Sequence, residues 1–272
     1  MSVQMLYFDC QSGISGGMAV GAFLDMGLDL RALARELSKM KLPVVYDIES
    51  EKVSKGGVEA TAFHVIVDMR REICSLEQMK EWVSGSELAA SVKMRTLRSL
   101  GLLEEARVAV YGENGRWLSL HDAVSCAVHV TAVSVCVGWL GAETVICSPL
   151  TEGSGFAETC SGFMRLPVPT VMELARAAGA PFEICPEKTQ LITETGAAIV
   201  CSLAQKFASL PSMTVEAIGF GAGSKDLDTR ANVFRVISGK NQYRFFGESV
   251  CVIESESVPC SNFWQCLAKE RK

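Results

Sequence analysis

The sequence predicts an α/β protein: a mixed sheet with helices packed on it. Short runs rich in β-branched and aromatic residues, bounded by glycine or proline, recur from Leu6 to beyond Val233. Between them lie apolar segments with helical spacing. With 49% hydrophobic and 21% charged residues, the composition excludes global disorder. A chain of 272 residues has room for one large domain or two sub-lobes. Its net charge of −5 leaves no Lys/Arg surplus to neutralise phosphates, so no nucleic-acid partner is expected.

The sheet is expected to use strands near residues 5–9, 44–48, 60–67, 144–148, 214–220 and 232–237. The first run stops at Asp9 and gives way to Cys10-Gln11-Ser12-Gly13-Ile14-Ser15-Gly16-Gly17-Met18, a strand, a polar loop and a helix start. Glycines there can take φ > 0 or approach a ligand, Ser15 can cap the first turn, and free N–H groups favour an anion. An ordinary tight turn accounts for the same spacing. Met18, Ala22 and Met26 recur at helical spacing, with Gly21 small enough to let the helix approach a neighbour. Asp29 is placed to cap a helix to Met40 with Leu30, Leu33 and Leu37 on one side. Two β-type runs then meet at Gly56-Gly57 as a hairpin. His64, on the second run, reads as a surface or hydrogen-bonded residue.

Helical periodicity returns over Ser75–Val83 and Glu87–Glu105, the latter on Val92, Thr96, Leu100 and Leu103. From Ala123 to Ala142 no formal charge occurs. That length could span a bilayer, but Ser125, Cys126, His129, Thr131 and Ser134 interrupt it, so a core helix beneath the sheet is expected, and no membrane partner. Eleven cysteines, an odd number without a C-x-x-C pair or a basic-then-apolar leader, are expected to be small buried hydrophobes of a cytoplasmic protein.

The opening loop resembles the signature D-C-x-S-G-I-S-G-D-M of the LarC family, with Gly17 in place of the second acid. Further motifs resemble that family in order. Leu118-Ser119-Leu120-His121-Asp122 is similar to H-F-H-E, with Ser119 replacing one histidine; an ungapped alignment then sets Ala127 at a family acid. Cys160 to Pro169 is similar to A-H-G-L-L-P-V-P-A-P, with Ser161 replacing a histidine and Arg165 a proline. Thr193-Glu194-Thr195-Gly196-Ala197-Ala198 is similar to T-P-T-G-A-A, and Thr195 can cap the helix it opens. Ile218 to Asp226 is similar to I-G-x-G-A-G-x-x-D, with Asn232 and Arg235 following.

The resemblance implies nickel insertion into a sulfur-bearing pyridinium mononucleotide. It implies catalytic roles for Asp9 and Cys10, and nickel contacts from Cys10, His121 and Asp122, although His121 and Asp122 can equally be a cap and its neighbour. The phosphorylated ligand would be held by Ser12, Gly13, Ser15, Gly16, Thr193, Thr195, Gly196, Gly219, Gly221, Gly223, Lys225 and Asp226. Residues 1–253 would form the family's N-terminal domain and 254–272 the start of a C-terminal domain or a tail. In the family that further domain binds a cytidine nucleotide and a divalent metal, so a separate C-terminal chain is an expected partner, as is a second copy of this chain. Gly17, Ser119, Ala127 and Ser161 motivate an alternative, a non-catalytic relative that binds a nucleotide-type cofactor or acts as a scaffold. A softer metal site would instead require Cys10, Cys126 or Cys160 to cluster.

Overall fold

A computed structural model describes residues 3–67, 72–159 and 162–241. The chain opens with β1 (Val3–Asp9) and passes through the glycine–serine loop into α1 (Gly16–Asp25). Asp29 caps α2 (Leu30–Leu37) by accepting from Arg31 N, and Leu33 and Leu37 are buried. The hairpin is formed by β2 (Tyr46–Lys55) and β3 (Val58–Val67). Gly56 and Gly57 have φ of 56° and 82°, as a two-residue type I′ turn requires. After β4 (Ile73–Ser75), Ser75 and Gln78 cap each other's backbone at the start of α3 (Leu76–Ser84). The next helix, α4 (Ala90–Tyr111), begins later and runs longer than its periodicity predicts.

Then follow β5 (Trp117–Ser119), α5 (Leu120–Trp139), β6 (Thr144–Cys147), β7 (Leu150–Glu152), β8 (Phe156–Thr159) and β9 (Gly162–Arg165). The remaining elements are α6 (Pro169–Ala178), β10 (Phe182–Ile184), α7 (Glu194–Leu203), β11 (Lys206–Phe207), β12 (Thr214–Ala222) and β13 (Val233–Asn241).

Seven strands form one mixed sheet in the order β11-β6-β1-β13-β12-β3-β2. All six predicted strands belong to it; only the two-residue β11 is additional. β1 is an interior strand, parallel to β6 and antiparallel to β13. Phe8 meets Phe23 of α1 and Phe234 of β13 edge-on, with ring centroids 6.2 and 5.6 Å apart, which pins helix, first strand and last strand together.

The helix directly on the sheet is α1, which crosses β12, β3 and β13. It can lie so close because the facing positions lack side chains. A Cβ at Gly219 or Gly221 would collide with the α1 backbone at Ala22 or Met18, and one at Gly21 would collide with the Thr61 carbonyl. The uncharged stretch from Ala123, which forms most of α5, was expected beneath the sheet; α5 occupies the next layer, enclosed by α1, α2, α4 and α7 and meeting the sheet at β3. Apolar on all sides, it buries Val124, Val128, Val133 and Cys136 among others, as a core helix should. The seven described cysteines are all free and buried. His64 is exposed, 3.7 Å from Glu51. Cys160, Ser161 and residues 254–272 lie outside the described residues.

Candidate functional site

Strand alternation separates the two residues at the end of β1. Leu6, Phe8 and Cys10 join the large core on the helix side, whereas Met5 and Tyr7 pack with Ile146 and Ile237 on the other face. Asp9 shares that other face with its cross-strand partner Arg235, whose Nη2 and Nε donate to Asp9 Oδ2 at 2.5 and 3.1 Å. Asp9 Oδ1 accepts from Gln11 N at 3.2 Å. Cys10 is fully buried, with its Sγ 3.6 Å from that of Cys147. Burial, reinforced by Cys147, pushes the Cys10 thiol well above its ordinary range. Asp9 is therefore engaged in an ion pair, and Cys10 is a protonated thiol facing the core.

The loop beyond them is a junction. Gly13 N closes a turn onto Cys10 O at 2.9 Å; Ser12 lies within that turn. Ile14 makes a parallel bridge to Ile192, with Ile14 N donating to Leu191 O and Thr193 N to Ile14 O, each at 3.0 Å. The crossing is tight enough that a Cβ at Gly13 would lie 2.5 Å from Leu191 Cβ, and one at Gly196 2.8 Å from the Ile14 carbonyl carbon. Ser15 caps α1 by accepting from Met18 N at 3.1 Å, as predicted. The cap of α7 is Thr193, accepting from Gly196 N at 3.1 Å, rather than the expected Thr195, which sits one turn position inside the helix. Gly16 lies under the His129 ring, where a Cβ would be 2.7 Å from His129 Cγ.

A strap at residues 187–192 ties this junction to the β12–β13 turn. Glu187 accepts from Thr229, and Lys225 Nζ donates to Thr189 Oγ1 at 2.7 Å and to Gln190 O at 3.3 Å. Arg230 donates to Gln11 O at 2.7 Å. Beneath the strap the fully buried Glu152 accepts from Gly153 N at 2.8 Å and Leu191 N at 2.5 Å; burial raises its pKa against the pull of those N–H groups. Gly223 lies against the Asn232 side chain, and Asp226 is exposed beside Lys55 at 2.8 Å. Gly219 and Gly221, expected at a ligand, instead receive α1.

A cavity of about 250 Å³ opens between α4, α5 and α7. Its walls are Leu103, Arg107 and Tyr111 from α4, Asp122, Ser125 and Cys126 from α5, and Glu194 and Thr195 from α7, completed by Leu118, Val168 and Gln190. Of the residues expected at a site, it collects Asp122 and Thr195; Asp9, Cys10, His121 and Gly221 lie outside its wall. Ser119 is the α5 cap: Asp122 N donates to its hydroxyl at 3.0 Å, and the hydroxyl donates to Asp122 Oδ2 at 2.7 Å. His121 is half-exposed, its Nδ1 3.4 Å from Asp122 Oδ1.

Burial pushes the Cys126 thiol up to about 11, with the Thr195 hydroxyl pulling the other way. His129, one turn beyond Ser125, is held neutral because burial lowers its pKa to about 4; its buried Nε2 has no partner among the described residues. Among the described residues no three His, Cys, Asp or Glu side chains gather closely enough to enclose a metal ion; Cys160, the third cysteine of the expected cluster, lies outside the described residues. Arg107, Tyr111 and Glu194 were not anticipated, and Cys126 was expected only in a cysteine cluster. Their signal is Arg107 itself, a charge that continues the buried series Thr96, Leu100, Leu103 on α4.

The family described as "Nickel insertion protein" matches residues 6–257. A nickel insertion protein of Geotalea uraniireducens is 34% identical over 256 residues, covering 93% of this chain and 65% of the relative. One from Geobacter metallireducens is 35% identical over 257 residues with the same coverage. The pyridinium-3,5-bisthiocarboxylic acid mononucleotide nickel insertion protein of Acetivibrio thermocellus is 29% identical over 268 residues, again 93% and 65%. The chain thus spans about two thirds of the length of these relatives, 65%. No solved structure matches it. With a family match running through β1, the Ile14 junction, the walls of the cavity and β13, this chain belongs to the nickel insertion protein family.

Proposed function

We propose that this chain is the N-terminal portion of a nickel insertion protein acting on pyridinium-3,5-bisthiocarboxylic acid mononucleotide. The observation that carries the reading is the family match over residues 6–257, together with a relative named for that mononucleotide. Nickel is the cargo. His121 and Asp122, half-exposed and exposed at the start of α5, offer it an imidazole and a carboxylate, and the sulfur atoms of the substrate supply softer donors. Two protein donors hold a divalent ion weakly, which suits an ion that is to be handed on. The phosphate of the substrate docks at the paired starts of α1 and α7, where first-turn N–H groups favour an anion.

The domain boundary lies near residue 253, and the remaining third of the relatives' length carries the cytidine nucleotide and divalent metal. The compartment is the cytoplasm, in keeping with free cysteines. The names of the relatives lend no support to a non-catalytic scaffold. The test is to supply nickel and the bisthiocarboxylic mononucleotide to the purified chain, alone and with a relative's C-terminal third, and to look for nickel-bearing nucleotide by mass spectrometry. Its formation in either mixture is expected; failure in both overturns the reading.

A further inference from the structure

Resting on that substrate, we infer that the cavity between α4, α5 and α7 receives one acidic arm of the pyridinium ring, anchored by Arg107, and that Glu194 holds the place of this arm until the ligand arrives. The volume argues for a part of the ligand rather than the whole: about 250 Å³ is below the roughly 300–1,000 Å³ typical of pockets that enclose a complete small molecule.

Arg107 is only 6% exposed as a residue and forms part of the wall. Its Nε donates to Gly115 O at 2.8 Å and Nη2 to Trp117 O at 3.2 Å, which fixes its plane. Nη1 donates to Glu194 Oε2 at 2.5 Å. A guanidinium has five N–H groups, so two remain without a partner among the described residues. The Tyr111 ring lies 5.5 Å from the guanidinium carbon and offers the heterocycle an aromatic wall.

The helix starts beside Arg107 add positive dipole ends, set against the Asp122 carboxylate in the same wall. The first turns of α5 and α7 both open on the cavity, through Asp122 on one side and Glu194 and Thr195 on the other. Glu194 already shows what a carboxylate does there: it accepts from Arg107 Nη1. It sits in the first turn of α7 with its side chain 26% exposed, so it can rotate toward solvent while the incoming arm replaces it on Nη1, with no change in the charge beside the guanidinium.

An ion pair that merely holds α4 to α7 would meet the same distances, and the two roles differ in sign. The full chain is titrated by calorimetry with pyridine-3,5-dicarboxylate, and with pyridine-3-carboxamide as the uncharged control. The dicarboxylate should bind and the amide should not. Arg107→Lys, which loses the planar fork, should weaken dicarboxylate binding by about tenfold or more. Glu194→Gln, which removes the competing carboxylate, should strengthen it. If the wild-type chain ignores the dicarboxylate, or Glu194→Gln binds it no better, the inference falls. Glu194→Gln keeps the test decisive even where Arg107→Lys fails to fold, which thermal unfolding reports. Nickel-product assays on the same variants separate the two readings. Product formation with an unaltered KM in both variants removes the anchor and leaves the nickel function standing. Dicarboxylate binding with the expected signs but no nickel product does the reverse.

Discussion

Replacing Gly221 by alanine tests whether the glycine-rich segment of β12 serves a ligand or a helix. The backbone at Gly221 is not in the left-handed region, so alanine meets no conformational barrier and the whole effect comes from collision. Its Cβ would stand 2.6 Å from the Met18 carbonyl carbon and 2.7 Å from Ala22 N, nearer still to the Met18 oxygen, all of it backbone of one rigid helix. No rotamer change can relieve this. Either α1 lifts off the sheet or β12 bows away. Overpacking of this kind typically costs about 1–3 kcal/mol, and backbone against backbone belongs at the upper end. At roughly 2–4 °C per kcal/mol for a chain of this size, the melting temperature should fall by roughly 6–12 °C without any ligand present. Gly101→Ala is the control: it lies inside α4 with nothing within 4 Å of its Cβ, and should gain about 0.5–1 kcal/mol from helix propensity. A Gly221→Ala chain that melts with the wild type but no longer binds ligand would refute the packing account.

Two further outcomes follow from side chains already placed. At Asp25, burial alone would raise the carboxyl, but hydrogen bonds from Lys52, Phe220 N and Thr61 outweigh it and hold the pKa below its usual value. A depressed folded-state pKa gives stability that is present above the unfolded value and lost as pH falls through the folded one. Asp25→Ala should therefore be destabilised at pH 7 in urea unfolding, and the gap from wild type should close below about pH 4; a constant gap down to pH 2 would contradict it. Thr193→Ala removes the α7 cap and should cost about 1 kcal/mol, whereas Thr195→Ala should leave stability within about 0.5 kcal/mol of wild type. Equal losses in chemical denaturation would reassign the cap.

The strands were legible because each carries its own local pattern, and all six predicted ones pair in a single sheet. Their order was not, since β1 finds its neighbours at residues 144–147 and 233–241 and nothing local records that. The glycines of β12 were noticed for the right property and given the wrong neighbour: a missing Cβ reads the same whether a phosphate or a helix fills the space. Asp9 and Cys10 looked like one site because they are adjacent, but at the end of β1 the alternation carries on and the two face opposite sides of the sheet. The cavity was hidden for another reason. Its wall comes mainly from three helices whose periodicity signals packing, and of the two charges on the buried stripe of α4, Glu104 and Arg107, it is Arg107 that reaches the cavity.

The placement of β1 between β6 and β13 also sets a timetable. The amino-terminal strand acquires its second neighbour only when residues 233–241 have been made. At about 5–20 residues per second, synthesis leaves Leu6 and Phe8 without that cover for on the order of ten seconds to most of a minute. The β2–β3 hairpin, closed by two glycines, can form at once and wait. Nascent chains halted before Val233 should accordingly be the ones that chaperones hold and proteases cut.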